Sequence, residues 1–417
     1  MIAGFTAAMM GFGAISFAAT GNAASDASAA APSSSVKGQI IVKFRDNGAA
    51  AGLLRQHGLS EGTGIGSTGA HLIKVPAGKE AQLIQSLSRN PAIEYAEPDE
   101  LVTATTADDY YFDRQYALNN EGQAFTNTKG DIGIAAGTAD ADVDAAEAWG
   151  VATGSGIKVA VLDSGVDLNH EDLSSKVVAR ANFSGAASAD DNYGHGTHVA
   201  GIVAAVQNSD GVAGVCPGCT VLAGKILNDS GVGSSSGLAN GINWAVSNGA
   251  KVINMSVGVR ASRTLETAVT NAWNKGVVLV AAAGNGGNQT KIYPAGYPNV
   301  IAVAATDNKD AKASFSTYGA SWVDVTAPGV NVYSTFPNHP FYLAKPNNRS
   351  LNYDVGNGTS MSAPIVAGVV ALAWSRNPSA THTSIRAKVE STADKITGTG
   401  TYWALGRVNA FKAVSPQ

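Results

Sequence analysis

Basic residues and long apolar runs are both scarce in this sequence. Its 28 Lys and Arg stand against 32 Asp and Glu, so a strongly basic surface for nucleic acid is excluded and no nucleic-acid partner is expected. Beyond the N-terminal region, no apolar run reaches the roughly 20 residues that cross a bilayer. The longest, IVAGVVALAW, stops at Ser375 and Arg376. No membrane span is therefore expected.

Cysteine is also scarce, with only Cys216 and Cys219 in the segment GVCPGCT. A cytosolic redox pair or half of a zinc site could use this spacing, but further zinc ligands do not cluster nearby in the sequence. In an exported chain, a small loop disulfide is the more economical hypothesis.

The N-terminal region has the composition of an export signal. The first 30 residues contain no Lys or Arg and one acid, Asp26, and they combine short apolar blocks with small residues. The apolar block before Thr20 has about the length of a secretion-signal core. We interpret residues 1–30 as a signal peptide, although the usual basic start is missing, and we expect a secreted, extracellular protein.

Residues 36–103 form one unit in the sequence pattern. VKGQIIVKF, AHLIKVP and AIEYAEPDELVT predict strands, and AAAGLLRQHGL and KEAQLIQSLSRN between them predict helices. Their order predicts a small α+β domain of the ferredoxin-like βαββαβ type. TATTADDYYF, which follows, is typical of an exposed linker.

From about residue 143, short continuously apolar segments alternate with helical ones. IKVAVLD, TVLAGKIL, KVINMSV, VVLVAAAGN and VIAVAAT predict strands, and GTHVAGIVAAV, SSGLANGINWAVSNG and RTLETAVTNAWNKG predict helices. Apolar strands of this kind predict an α/β domain with a doubly wound, mostly parallel sheet buried on both faces. Such sheets bind ligands beyond the carboxyl ends of their strands, so polar residues there are candidates for a site.

Four polar residues lie at predicted strand ends or helix starts. Asp163 ends IKVAVLD, Asn285 ends VVLVAAAGN, His195 begins a helix, and Ser360 precedes a helix in whose first turn Pro364 is expected. Each has a structural alternative as a turn residue, a helix cap or a core histidine. Together they are the groups of acyl transfer: a hydroxyl nucleophile, an imidazole base, a carboxylate behind it, and an amide donor for the oxyanion.

The segments that carry these residues resemble the subtilisin-like serine protease family. VLDSGVDLNHEDL, GHGTHVAGIVAA and GTSMSAPIVAGVVAL match the family's Asp, His and Ser segments in order, and AAAGN matches its oxyanion segment. The resemblance implies that Asp163, His195 and Ser360 are catalytic and that Asn285 stabilises the oxyanion. It selects the first histidine of GHGTH and the first serine of TSMS.

The resemblance also implies a zymogen that cleaves proteins or peptides and acts as a monomer. Residues 108–417 would be the catalytic domain, and residues 36–103 would be an intramolecular inhibitor that the enzyme removes between about Glu100 and Asp109. One alternative is a catalytically inactive surface protein that keeps the fold to bind peptides. A serine esterase is a further alternative, but its G-x-S-x-G motif is absent around Ser360.

The resemblance further implies that a substrate strand pairs with two edge segments of the domain. No acidic residue occurs in the stretches that would wall the pocket for the residue before the scissile bond, so uncharged, mostly apolar side chains are expected there. Ile292 would lie near the base of that pocket and make it shallow. The implied substrate-binding residues are Gly231, Gly233, Ser256, Val257, Gly258, Ala282, Ala283, Gly284 and Ile292.

A structural calcium ion is the last implication of the resemblance. Oxygen ligands gathered from distant segments are those that Ca²⁺ prefers, and a solvated acidic loop without metal is the alternative. The implied ligands are the side chains of Asp109, Asp172, Asn208 and Asp210 and the carbonyl groups of Val206 and Val212.

Overall fold

The structure is a computed structural model that describes residues 35–46, 48, 50–60, 62–65, 68–100 and 109–416. These residues belong to two units, a small one that ends at residue 100 and a large one that starts at residue 109. The predicted signal peptide lies outside the described residues, as does most of the predicted cleavage region. The boundaries 36–103 and 108–417 stay predictions.

The small unit has the predicted ferredoxin-like α+β order. Its elements are β1 (Ser35–Phe44), α1 (Ala50–Gln56), β2 (Thr63–Gly64), β3 (Ala70–Lys74), α2 (Glu80–Ser88) and β4 (Ile93–Glu100). The antiparallel sheet has the order β2-β3-β1-β4, and its inner face packs on the helices through Ile40, Leu54, Ile73 and Leu87. The two-residue strand β2 was not predicted because it lies in the glycine-rich segment GTGIGSTG.

The large unit is built on an eight-stranded sheet in which every neighbouring pair is parallel. The sheet confirms the predicted doubly wound α/β class. Its order is β16-β13-β12-β11-β10-β7-β9-β8, and two short pairs, β5-β6 and β14-β15, lie outside it. The strands are β5 (Phe125–Thr126), β6 (Gly133–Ile134), β7 (Lys158–Asp163), β8 (Val177–Asn182), β9 (Thr220–Lys225), β10 (Val252–Met255), β11 (Val278–Ala282), β12 (Val300–Thr306), β13 (Val325–Pro328), β14 (Val332–Thr335), β15 (Tyr353–Gly356) and β16 (Gly406–Arg407).

Helices cover both faces of this sheet. Among the residues that the structure describes, no helix combines the length and hydropathy needed to cross a membrane. The helices of the large unit are α3 (Ala145–Trp149), α4 (His195–Ala204), α5 (Ser235–Ser247), α6 (Arg263–Asn274), α7 (Thr359–Arg376), α8 (His382–Ser391) and α9 (Ala410–Val414).

Helix α7 is the central helix of one face, and fifteen of its residues are buried, as its apolar sequence requires. It packs against β10, β11, β12 and β13 and against α4. The helix begins at Thr359, so Pro364 lies in its second turn and the expectation of a first-turn proline was wrong. Pro364 has no N–H to donate to the Ser360 carbonyl. The proline is tolerated there because the side chain of Ser256, outside the helix, donates to that carbonyl instead.

The order of the sheet positions the candidate residues. The chain passes from β7 to β8 and then β9 on one side of β7 and crosses to β10 on the other, so a crevice opens at the carboxyl ends of β7 and β10. Asp163 is the last residue of β7, and Ser256 directly follows β10. Asn285 follows β11 by three residues. These polar residues therefore meet at one edge of the sheet.

Candidate active site

Asp163 and His195 form a buried hydrogen-bonded pair. Asp163 Oδ1 lies 2.7 Å from His195 Nδ1, and the Asp163 side chain is fully buried. Burial by itself lowers the pKa of His195, but the charge and hydrogen bond of Asp163 and the charge of Asp191 outweigh it and raise the pKa above its ordinary value. The pair can therefore hold a proton on the imidazole more readily than a free histidine can.

A second buried carboxylate, Asp191, fixes the first turn of α4, which carries His195. It accepts hydrogen bonds from the backbone N–H groups of Gly194 and Thr197, both at 2.8 Å, and from the hydroxyl groups of Thr197 at 2.7 Å and Ser164 at 2.8 Å. Sequence reasoning missed Asp191. An acid just before a helix start is the signal that could have found it, because carboxylates satisfy the unpaired N–H groups of a first turn.

Ser360 is the second residue of α7 and is tied to Ser256 by two hydrogen bonds. Ser360 Oγ donates to the Ser256 carbonyl at 3.3 Å, and Ser256 Oγ donates to the Ser360 carbonyl at 2.8 Å. That carbonyl would normally accept from the backbone N–H four residues later, which Pro364 lacks. Asn254 Nδ2 donates to Ser256 Oγ at 3.0 Å and so orients the hydroxyl group.

The side-chain amide of Asn285 is oriented by Thr359. Asn285 Oδ1 accepts from the Thr359 backbone N–H at 2.9 Å and from its hydroxyl group at 3.0 Å. A backbone N–H can only donate, so the oxygen end of the amide must face Thr359. The Nδ2 end, a donor, is thus left for other partners.

Two open pockets meet at His195. The first, here called the edge cleft, lies between residues 231–234 and 256–259. The second, here called the serine pocket, is lined by His195, Asn285 and Ser360 and by part of the segment 336–349. Tyr193 and His195 line both pockets. The geometry thus brings a nucleophilic hydroxyl, an imidazole with its carboxylate, and an amide donor to one concave surface.

His198, the other histidine of the segment, is buried beside the Phe336 ring, with ring centroids 4.7 Å apart. Burial above all lowers its pKa to about 3. It therefore stays neutral at ordinary pH, and within the described residues no group of metal-binding side chains includes it.

Comparison with known proteins identifies the family of this chain. Residues 154–407 match the model of the subtilase family, and residues 21–99 match that of the fervidolysin N-terminal prodomain. The chain belongs to the subtilase family. It is a subtilisin-like serine peptidase with an N-terminal prosegment.

Individual relatives agree with this assignment. The chain is 52% identical to thermitase of Thermoactinomyces vulgaris over 65% of its own length and 93% of the relative's. It is 39% identical to a thermophilic serine proteinase of Bacillus sp. strain AK1 over 91% of this chain and 88% of that protein. A solved structure of proteases from Pseudoalteromonas arctica PAMC 21717 matches with a TM-score of 0.64 and 31% identity, and the match covers 74% of this subtilase and 99% of that chain.

The edge cleft of this subtilase contains the predicted edge residues Gly231, Gly233, Ser256, Val257 and Gly258. Gly231 has φ of +75°, and a Cβ atom on it would lie 2.3 Å from the Tyr193 ring. Glycine is required there for two reasons: other residues are strained at this φ, and any side chain would collide with this ring.

Ile292, which the family resemblance implies as a pocket residue, lies beside two of the predicted substrate-binding glycines. A Cβ atom added to Gly258 would lie 2.8 Å from Ile292 Cδ1, and one added to Gly284 would lie 2.7 Å from it. The isoleucine side chain thus reaches both glycines and fills the space between them. Ala282 and Ala283, which precede Gly284, are buried.

The candidate calcium ligands lie around one loop of the subtilase domain. Asp109 Oδ1 accepts from the backbone N–H groups of Asn208 at 2.9 Å and Ser209 at 3.2 Å. Asp172 Oδ1 accepts from Asn208 Nδ2 at 3.2 Å, and its Oδ2 accepts from the Val212 N–H at 3.0 Å. Two carboxylates from distant parts of the chain therefore face the loop 206–212.

The remaining candidate ligands, Val206 and Asp210, contact Asp172 and Asn208 through their backbone N–H groups. The Val206 N–H donates to the Asp172 carbonyl at 3.1 Å, and the Asp210 N–H donates to Asn208 Oδ1 at 2.9 Å, whereas the Asp210 side chain is exposed. Burial raises the pKa of Asp172 to about 6, which marks a carboxylate whose charge a bound cation would stabilise. Buried carboxylates with amide and carbonyl oxygens are a donor set that fits Ca²⁺.

Asp167, Asp190 and His339 form another group of potential metal ligands, with atoms within 4.8 Å of one another. Sequence reasoning did not single them out. The two carboxylate oxygens of Asp167 already accept from the backbone N–H groups of Asn169 at 2.9 Å and Asn338 at 2.8 Å. Asp167 therefore ties the backbone at Asn169 to that at Asn338.

The two cysteines form the predicted disulfide. Cys216 and Cys219 are bonded to each other and fully buried. A Cβ atom on Gly154, which has φ of +90°, would lie 1.9 Å from Cys216 Sγ. Gly154 is thus required by the close approach of the disulfide, which lies within the turn before β9 and packs against the segment before β7.

Proposed function

We propose that this subtilase is a secreted serine endopeptidase, made as a self-processing zymogen, in which Asp163, His195 and Ser360 form the catalytic triad. The observation that carries the proposal is the 2.7 Å contact between Asp163 Oδ1 and His195 Nδ1 beside the pocket that also holds Ser360 and Asn285. Its substrates would be proteins and peptides.

In the acylation step, Ser360 Oγ attacks the carbonyl carbon of the scissile bond while its proton passes to His195 Nε2. The hydroxyl group would exchange its 3.3 Å bond to Ser256 for one to the imidazole. Asp163 stabilises the imidazolium that forms and keeps the ring in the productive tautomer. The imidazolium then gives its proton to the leaving amine as the C–N bond breaks, which leaves an ester on Ser360.

Deacylation repeats these proton transfers with water. His195 takes a proton from the water molecule whose oxygen attacks the ester, and it returns that proton to Ser360 Oγ as the acid product leaves. Asn285 Nδ2 and the backbone N–H of Ser360 would donate to the oxyanion of both tetrahedral intermediates, because Asn285 Oδ1 is occupied by Thr359. The N-terminus of α7 adds a favourable partial positive charge.

The edge cleft would bind the acyl side of the substrate as an added strand, with residues 231–233 and 256–258 on either side. The pocket for the residue before the scissile bond would be walled by Ser256 to Gly258 and Ala282 to Asn285. Because Ile292 reaches Gly258 and Gly284, this pocket would be shallow and would favour uncharged, mostly apolar side chains.

A structural Ca²⁺ would be held by Asp109, Asp172 and the loop 206–212. Binding only to the folded chain would stabilise that chain by mass action. Residues 1–30 would direct secretion, and the N-terminal prosegment would act as an intramolecular inhibitor until the enzyme cuts it off between about Glu100 and Asp109.

The first experiment follows self-processing. The chain from Val36 onward and its Ser360→Ala variant would be expressed, and their intact masses followed over time. We expect the parent to split near residues 100–109 and the variant to stay whole, because loss of the nucleophile costs on the order of 10⁶-fold in turnover. If both folded proteins stay whole in added calcium, an inactive peptide-binding protein or a zymogen opened by another protease becomes the better account.

A further inference from the structure

Among the described residues that line the serine pocket there is one arginine, Arg349, and its guanidinium forms no ion pair with a described carboxylate. Its Nη1 atom is buried and has no hydrogen-bond partner among the described residues. The ion pairs found within the described part of the chain do not include Arg349. Buried polar atoms of proteins are nearly always paired, so an arginine in this state is suited to an anionic partner from outside the chain.

The carboxylate that contacts the next residue, Ser350, is occupied by the backbone. Asp354 Oδ1 accepts from the Val355 N–H and Asp354 Oδ2 from the Ser350 N–H, both at 2.8 Å. The described residues that line the serine pocket include no Asp or Glu. The charge of Arg349 also reaches the buried His198, where it adds to the effects of burial and of His195 that lower the histidine pKa. The described lining of the pocket therefore carries the charge of one arginine and no carboxylate.

The segment that carries Arg349 is fixed against the loop before His195. The N–H groups of Tyr342 and Leu343 donate to the carbonyls of Asn192 and Tyr193 at 2.8 and 3.1 Å. The rings of Tyr193 and Tyr342 stack with centroids 5.7 Å apart, and the Arg349 N–H donates to the Ala344 carbonyl at 2.9 Å. The backbone that carries Arg349 is thus fixed before any ligand arrives, which lowers the entropic cost of binding.

The serine pocket adjoins the edge cleft, which the acyl part of a substrate would use in the proposed function. It shares Tyr193 and His195 with the edge cleft, and it extends from them along the segment 336–349. If the edge cleft binds the residues before the scissile bond, as in the proposed function, the chain after that bond must enter the serine pocket. His195, which must protonate the leaving amine, stands at the junction.

We propose that Arg349 binds a carboxylate in the leaving-group part of the substrate, so that this peptidase favours cleavage one or two residues before that carboxylate. The carboxylate can be the side chain of Asp or Glu or the C-terminus of a short peptide. This inference rests on the proposed function for the direction of the substrate chain. It makes Arg349 a specificity-determining residue.

Quenched fluorescent peptides test the proposal. One series shares a single acyl sequence and carries Glu, Gln or Lys at the first or second position after the scissile bond. A second series ends two residues after that bond with either a free or an amidated C-terminus, which separates the two sources of carboxylate. For the processed enzyme we expect kcat/KM about tenfold higher for Glu than for Gln at one of the two positions, and lower still for Lys.

Variants of Arg349 assign the effect to this residue. Arg349→Gln should abolish the difference between Glu and Gln, Arg349→Lys should keep part of it, and Arg349→Glu should favour the Lys peptide. Arg376→Gln is the matched control, because Arg376 ends α7 about 24 Å along the helix from Ser360. A Glu preference that is absent in the parent, or unchanged in Arg349→Gln, would overturn the proposal.

Binding separates this proposal from the proposed function. Peptides with Glu or Gln after the scissile position would be titrated into the Ser360→Ala variant, with and without Arg349→Gln, after the prosegment has been removed by an added protease. We expect the Glu peptide to bind about tenfold more tightly than the Gln peptide, and Arg349→Gln to remove this difference. That result supports the inference even if the parent enzyme cleaves neither peptide. If the parent cleaves peptides but neither binding nor turnover differs between the Glu and Gln peptides, Arg349 has no role in specificity and the proposed function stands.

Discussion

At the residue scale, the charge of Asp163 on His195 predicts a pH dependence. In the proposed mechanism His195 acts as a neutral base, so kcat/KM should rise with pH through a histidine pKa above the ordinary value of about 6.5. Asp163→Asn removes the charge that raises this pKa, so the rise should move to lower pH while kcat falls on the order of 10⁴-fold.

Two measurements check this prediction. The pH profile of kcat/KM is compared for the parent and Asp163→Asn, and the His195 pKa is followed by NMR in Ser360→Ala with and without Asp163→Asn. A profile that keeps its midpoint without the carboxylate would show that another group controls the rise. Asp167→Asn is a control, because Asp167 is an equally buried carboxylate that bonds the backbone of Asn169 and Asn338.

The sequence predicts the residues of the site that lie in short motifs, but not those that act from elsewhere in the chain. Asp163, His195, Asn285 and Ser360 each lie at or after a strand end or in the first turn of a helix, so the pattern makes them candidates, and the family resemblance selects them. Arg349 lies in an irregular segment, and its place beside the serine pocket depends on loop contacts such as Tyr342 N–H with Asn192. Such contacts leave no periodic signal in the sequence.

At the scale of elements, the first turn of α7 depends on a side chain of the strand-end segment after β10. Ser256 Oγ bonds the Ser360 carbonyl that Pro364 leaves without a helical donor. Ser256→Ala should leave this carbonyl unpaired and loosen the turn that carries Ser360, the proposed nucleophile. We expect kcat to fall about fivefold, from a hydrogen bond worth about 1 kcal/mol, with a smaller change in KM.

A double-mutant cycle checks the cause. Pro364→Ala restores an N–H that can bond the Ser360 carbonyl, so Ser256→Ala should cost less activity in that background. Equal losses in both backgrounds would contradict the assignment, and kcat of all four variants gives the coupling directly. The expectation of Pro364 in a first turn was wrong because this bond between segments lets the helix begin earlier than its proline suggests.

Whether a strand could be predicted from the sequence depended on how deeply it is buried in the sheet. The central strands β10, β11 and β12 are buried at every position, and such strands appear as continuous apolar runs. Strand β8 lies at the edge of the sheet and alternates between half-buried and exposed residues, so it lacked that signal and was not predicted.

At the scale of the whole molecule, the class of the large unit follows from its apolar strands, but the convergence of distant segments does not. Asp109 and Asp172 are 63 residues apart in the sequence and face the same loop 206–212. The only sequence route to this juxtaposition was the family resemblance, because loop contacts between distant segments have no local pattern.

If that loop holds a structural Ca²⁺, removal of the ion should destabilise the folded chain as a whole. At a free calcium concentration 100 times the Kd, binding stabilises by about 2.7 kcal/mol, so EDTA should lower Tm by roughly 5–10 °C. The measurement uses Ser360→Ala to prevent self-digestion. Asp172→Asn should lower Tm and lose most of the calcium dependence, whereas Glu266→Gln, in the first turn of α6, should keep it. If EDTA leaves Tm unchanged, or if Asp172→Asn keeps the calcium dependence, the carboxylates of Asp109 and Asp172 hold the loop backbone without a metal.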